Sequence, residues 1–231
     1  VRKLIQSHPQ IPNLYNILGI VLQRKKKFDE AIFNFNKAID IQSNFHLAYN
    51  NLGNVLFIKK KFDEAINNYK KTIKINPNYA EAYNNLGNAL SELGKFEEAI
   101  SNQRYAIKLN PNVPQFYNNL GSSLTESGRF EEAVSNHQKA LKINPNYAEA
   151  YSDLGTALEG LGKYEEAIAN YQLAIKLNPK HKEAIKNESM VRLTLGDFEI
   201  GWKKYEARLE ENIKIPMIYG NEKKWDGNYL N

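Results

Sequence analysis

Along residues 80–113 the apolar positions Tyr83, Leu86, Leu90 and Leu93 recur at steps of three and four, which is one face of an amphipathic helix. A second helix is predicted from about Phe96 through Ala99, Ile100, Ala106 and Ile107. Between the two lies "LGK", where Gly94 can take the left-handed backbone that turns the chain. "NPN" closes the pair, because Pro111 cannot continue a helix. Asn112, with Gln115 three residues on, is expected to cap the next helix, and Asn78 with Glu81 and Asn146 with Glu149 repeat that capping box.

The pattern repeats. Gly19, Gly53, Gly87, Gly121 and Gly155 stand 34 residues apart, as do Ala31, Ala65, Ala99, Ala133 and Ala167. Tyr15, Tyr49, Tyr83, Tyr117 and Tyr151 keep the step, as do Leu18, Leu52, Leu86, Leu120 and Leu154, and Pro77, Pro111, Pro145 and Pro179. Gly87 and Ala99 fall where two antiparallel helices must approach closely, and a larger side chain would wedge them apart. One such hairpin leaves an apolar flank uncovered, so each pair must stack on the next.

The sequence Tyr-x-x-Leu-Gly-x-x-Leu, followed by Ala, an aromatic, Ala and Pro, resembles the tetratricopeptide repeat. The resemblance implies an all-α fold, a right-handed superhelical solenoid of antiparallel helix pairs that acts by binding proteins or peptides. Five full units are expected at 12–45, 46–79, 80–113, 114–147 and 148–181. Some positions depart from the family pattern: Gln103 and His137 replace the second-helix aromatic, Thr72 a small Ala, Ser43 the Pro, and Lys26 and Lys60 the turn glycine.

Residues 1–11 are in phase with the second helix of a preceding unit, so its first helix is missing and self-association through that uncovered end is expected. Residues 182–211 read as a sixth, degenerate pair in which Glu188 and Ser189 stand for Leu and Gly, with the helix ending near Glu211. Residues 212–231 read as a linker opening a further domain, with Trp202, Tyr205 and Trp225 suggesting that the tail docks. Gly196, Asp197, Phe198, Gly201, Trp202, Tyr205, Glu206 and Arg208, then Trp225, Asp226 and Gly227, resemble the junction in bacterial proteins whose repeats precede a glycosyltransferase domain. That resemblance implies a recognition arm whose catalytic domain and donor site lie outside this chain.

Composition narrows the chemistry. Against 26 acidic residues stand 31 basic ones, a net charge of +5, too mild to indicate nucleic acid or membrane without a concentrated patch. The chain has no cysteine, which excludes thiolate chemistry and disulfides and suits a reducing compartment, so a cytoplasmic location is expected. No apolar run reaches the roughly 20 residues a membrane span requires. His8, His46, His137 and His181 are scattered, so no metal, cofactor or catalytic group is expected. The pairs in "DEAI" and "EEAI" open second helices, where negative charge suits the helix dipole, and the Tyr row is expected in the core.

The family resemblance places first helices on the concave side. One residue before the repeated Leu stand Ile17, Asn51, Asn85, Asn119 and Asp153; two residues after it stand Ile20, Asn54, Asn88, Ser122 and Thr156. Asn51, Asn85 and Asn119 resemble the asparagine ladder of eukaryotic O-linked N-acetylglucosamine transferase repeats. A primary amide both donates and accepts, so such a row can hold an extended peptide backbone whatever its sequence. The competing reading is a row of solvated polar positions. The adjacent row, Asn16, Asn50, Asn84 and Asn118, lacks the lysine that a clamp for an acidic C-terminus places there. Lys25, Lys26, Lys27, Lys59, Lys60 and Lys61 form a basic edge, read either as a docking strip or as a solvated rim. The expected partner is a protein or extended peptide; a stand-alone scaffold and a self-association module are the rival readings.

Overall fold

The computed structural model describes residues 1–207, which form thirteen α-helices and no strand. After α1 (Arg2–Ser7) they come in pairs: α2 (Pro12–Arg24) with α3 (Phe28–Ile41), α4 (His46–Ile58) with α5 (Phe62–Ile75), and α6 (Ala80–Glu92) with α7 (Phe96–Leu109). Then follow α8 (Pro114–Glu126), α9 (Phe130–Ile143), α10 (Ala148–Gly160), α11 (Tyr164–Leu177), α12 (Lys182–Thr194) and α13 (Phe198–Ala207). The chain divides into two compact units, residues 1–127 and residues 128 onward, each a stack in which a helix packs on the one before and the one after. The all-helical stacked-pair class read from the periodicity is the class found. The predicted helix end near Glu211 and Trp225 lie outside the described residues.

Close approach marks the pairs α2 with α3, α4 with α5, α6 with α7 and α10 with α11. A Cβ on Gly53 would lie 2.6 Å from the Tyr69 ring, and one on Gly19 or Gly155 would lie 2.5 Å from the Phe35 or Tyr171 ring. A Cβ on Gly87 would meet the Gln103 stem at 2.5 Å and the Ala99 carbonyl oxygen at 3.0 Å. Ala31, Ala65, Ala99, Ala133 and Ala167 are fully buried on the opposing helices. Around these contacts Leu22, Leu52, Leu56, Leu86 and Leu90 build the core of the first unit; Leu154, Leu158 and Val191 build that of the second. The Tyr row is half-buried at the edge of this core rather than inside it: Tyr49 lies under Lys71 Nζ at 5.3 Å, and Tyr83 packs on Tyr105 at 4.6 Å.

The expected capping boxes do not form. The helices start one residue later than the boxes require, so Tyr79, Val113 and Tyr147 occupy the caps with no side-chain bond. The asparagines act upstream instead: Asn76 Oδ1 accepts the Asn78 N–H at 3.2 Å and Asn144 Oδ1 accepts that of Asn146 at 3.1 Å, closing local turns ahead of the helix. The inter-helix turn takes left-handed backbone whatever residue stands there, with φ +71° at Gly94 and +57° and +58° at Lys26 and Lys60.

The last pair is held by charge. Glu188, where the repeat has Leu, is fully buried and accepts from Arg192 Nε at 2.9 Å, Lys204 Nζ at 2.5 Å and Gln172 Nε2 at 3.1 Å. A carboxylate buried this deeply is tolerated because both its oxygens are paired.

Two outcomes follow from these features. Lys60→Gly relieves a left-handed side chain and is expected to raise stability by about 0.5–1 kcal/mol, read from the urea midpoint. His137 is fully buried, and burial pushes its imidazole down to about 4. The unfolded chain therefore takes up a proton below about pH 6.5 that the folded chain refuses until about pH 4, so stability is lost as pH falls through that window. Denaturation at pH 7 and pH 5 should differ by about 2 kcal/mol from this group, a part that His137→Phe removes.

Candidate functional site

Within the first unit α2 touches α4, α4 touches α6, and α6 touches α8, whereas neither α3 and α5 nor α5 and α7 meet. The first helices therefore lie closer together than the second, and their face is the inner side of the unit's curve. This face carries the asparagine rows.

The two rows interlock. Asn51 Nδ2 donates to Asn16 Oδ1 at 2.9 Å, Asn85 Nδ2 to Asn50 Oδ1 at 3.2 Å, and Asn119 Nδ2 to Asn84 Oδ1 at 3.0 Å. Each bond joins a residue to the neighbour of its counterpart in the preceding repeat, so the stack is stitched by amides. Asn16, Asn50, Asn84 and Asn118 are buried, and the residues beside them, Asn51, Asn85 and Asn119, are half-buried. Behind the face, Tyr69 Oη donates to Asn54 Oδ1 at 2.9 Å and Gln103 Nε2 to Asn88 Oδ1 at 3.0 Å, so the second helix orients the amides of the first. Burial pushes the Tyr69 phenol well above its ordinary range, which keeps it a donor.

Two adjoining depressions open on this face. The first, about 280 Å³, is lined by Gln23, Asn54, Phe57, Ile58, Tyr69, Asn85 and Asn88. The second, about 200 Å³, is lined by Phe57, Asn88, Ser91, Glu92, Asn119, Ser122, Ser123 and Glu126. Phe57 and Asn88 form the wall they share. Loss of solvent and then the charge of Glu92 raise the Glu126 carboxyl above its ordinary range.

Of the residues singled out from the sequence, Asn54, Asn85, Asn88, Asn119 and Ser122 come together here, whereas Asn51 is tied to Asn16 outside both depressions. Asp153 and Thr156 belong to the second unit; there Thr156 Oγ1 lies 3.3 Å from the Ser152 carbonyl, 3.3 Å from Tyr171 Oη and 3.4 Å from Asn187 Nδ2. Ile58, Glu92 and Glu126 were not singled out, although a signal was present: each stands seven residues after a ladder asparagine, two turns along the same face. The basic edge is exposed and partly neutralised, with Lys27 on Glu30 at 2.6 Å, Lys59 on Asp29 at 2.5 Å and Lys61 on Glu64 at 2.8 Å. Lys25, Lys26 and Lys60 are likewise exposed on it. Among the described residues no group of three His, Asp or Glu could hold a metal ion, and no helix is long and apolar enough to cross a membrane.

Stacked helix pairs with a polar inner face define a helical-repeat protein of the interaction type. Tetratricopeptide-repeat family models match residues 12–45, 53–94, 80–113 and 112–180, and the chain belongs to that family. Two of those ranges coincide with predicted units. Comparison with the curated proteins finds no match. Among solved structures, the protein MamA is 27% identical over 74% of this chain and 94% of its own, with a TM-score of 0.62. YrrB, described as a TPR protein with an unusual peptide-binding site, is 23% identical over 80% of this chain and 95% of its own, with a TM-score of 0.60. The APC/C hetero-tetramer Cut9–Hcn1 shares the fold over 94% of this chain and 43% of its own, at 21% identity and a TM-score of 0.83.

The interlock sets an expectation for Asn84→Ala. The substitution removes the acceptor of Asn119 inside the stack and should cost about 1 kcal/mol, read from the thermal midpoint, with helicity at 20 °C retained. An unchanged midpoint would mean that the row carries no stacking energy.

Proposed function

We propose that the first-helix face of residues 1–127 binds an extended segment of another protein. The observation that carries this reading is the pair of adjoining depressions walled by oriented amides. Asn119 uses one N–H to stitch the stack and keeps a second N–H and oxygen lone pairs for a peptide backbone, whereas Asn85 Nδ2 donates to both Asn50 Oδ1 and Asn54 Oδ1 and offers its oxygen. The solved YrrB structure, a family relative with a peptide-binding site, supports the same use of the fold. Recognition of backbone by amides favours a conformation rather than a sequence, while Phe57 and Ile58 offer apolar surface to a side chain. The chain acts by binding and performs no catalysis of its own. The lack of cysteine is the ground for placing it in the cytoplasm.

Service as the recognition arm of a bacterial glycosyltransferase rests on the resemblance of Gly196 to Arg208 and of Trp225 to Gly227. In the described part, several of these residues have a packing reason. Gly196 turns the chain at φ +81°, Asp197 pairs with Arg192 at 2.7 Å, and a Cβ on Gly201 would lie 2.7 Å from Leu193. The transferase reading therefore rests on the other residues of the resemblance, and the intact mass of the natural gene product decides it. Assembly scaffolding and self-association use the same face or the ends of the stack, and light scattering against concentration separates the latter.

The groove is tested by selecting peptides from a displayed random library and mapping the best one by ¹⁵N–¹H spectra. Shifts should centre on the side-chain amides of Asn54, Asn85, Asn88 and Asn119, and Asn85→Ala should weaken that peptide about fivefold. Shifts confined to Lys25, Lys26 and Lys60 would move the function to the basic edge.

A further inference from the structure

The second depression differs from the first in its chemistry. Glu92 and Glu126, equivalent positions of successive repeats, both line it, and Phe57 closes one side. Neither carboxylate has an ion-pair partner among the described residues, although the chain as a whole carries a net positive charge. The hydroxyls of Ser91 and Ser123 lie 2.7 Å apart and bond to each other.

A second observation points the same way. Gln103 is fully buried, its head reaches the wall of this depression where Nε2 donates to Asn88, and its Oε1 has no donor. In the equivalent position of the preceding repeat Tyr69 supplies a hydroxyl and leaves no such orphan. A buried acceptor without a donor costs about 1–3 kcal/mol, so the floor of this depression is less well satisfied than that of the first. The two carboxylates that line the depression accept hydrogen bonds and call for donors.

We infer that the second depression is a subsite for one lysine or arginine side chain of the bound peptide, set between Glu92 and Glu126 with its stem on Phe57. The inference rests on the groove reading above and names the charge that the groove selects. An ammonium or guanidinium group has only donors to give, and the face of an aromatic ring attracts it. Mutual repulsion of Glu92 and Glu126, which contributes to the raised Glu126 titration, is relieved when a cation sits between them. The same row reads Arg24, Ile58, Glu92 and Glu126 from the first repeat to the fourth, so it changes sign along the unit. A bound segment is thereby directed: its basic residue lies at the third and fourth repeats and its apolar residue beside Phe57 and Ile58.

The experiment uses four degenerate dodecapeptide mixtures, identical except for a fixed central lysine, arginine, norleucine or glutamate, with all other positions uncharged. Retention on the immobilised protein is measured for the natural chain and for Glu92→Gln/Glu126→Gln. Lysine and arginine mixtures should be retained about tenfold over norleucine by the natural chain, and the double variant should erase the difference while keeping norleucine retention. Equal retention of all four mixtures, or a lysine preference that survives in the double variant, overturns the subsite and leaves the groove standing. No retention of any mixture by the folded natural chain overturns both. A reading that needs no variant is the Glu126 carboxyl titration followed by ¹³C: a lysine peptide should lower its midpoint and the norleucine peptide should not, and equal midpoints count against the subsite.

Discussion

The constraint on which the structure depends is the closeness of the two helices in each pair. A glycine on the first helix lies so near a ring or an amide stem on the second that a single added methyl would collide. That contact, seen at Gly19, Gly53, Gly87 and Gly155, decides where along its length each of these helices meets its partner. Apolar residues on both sides supply most of the burial, but they would tolerate sliding; the glycine contact does not.

Stacking of one pair on the next uses a different chemistry. Between successive first helices of the first unit the joint is a line of amide hydrogen bonds, each made by an asparagine that is buried and one that is half-buried. Buried amides demand partners, so the register of the stack is specified by bonds with a direction. The same arrangement presents the remaining amide groups on the inner face, already oriented from behind by Tyr69 and Gln103. On the proposed reading, stability and recognition draw on one set of side chains, and a stack already held in register binds at low entropic cost.

The second unit keeps the packing rule and changes the surface. Its inner positions are Asp153 and Thr156, and Thr156 is engaged by Ser152, Tyr171 and Asn187. Its last pair replaces an apolar contact with the Glu188, Arg192 and Lys204 cluster, which fixes α13 on α12 through charge. The two adjoining depressions and the interlocked asparagines belong to residues 1–127.

The helix pairs were legible in the sequence because their cause is local and periodic: apolar spacing, turn residues and a small residue at each close contact repeat in one register. The helix starts were misplaced, since Asn78 and Asn146 are good capping residues by type but stand one position outside the helix that forms. The asparagine rows were visible as rows, but whether their amides face water, a ligand or each other depends on the offset between neighbouring repeats, which no single helix contains. Glu92 and Glu126 were not singled out in the sequence, and stacking brings both to one depression with Phe57. What the sequence by itself determined is the repeating helix pair, because short-range periodicity and steric fit create it. Only the tertiary structure decided which polar groups are consumed in holding the stack and which are left for a partner, because hydrogen bonds and charge pairs between repeats are set by distances that span some thirty-five residues of chain.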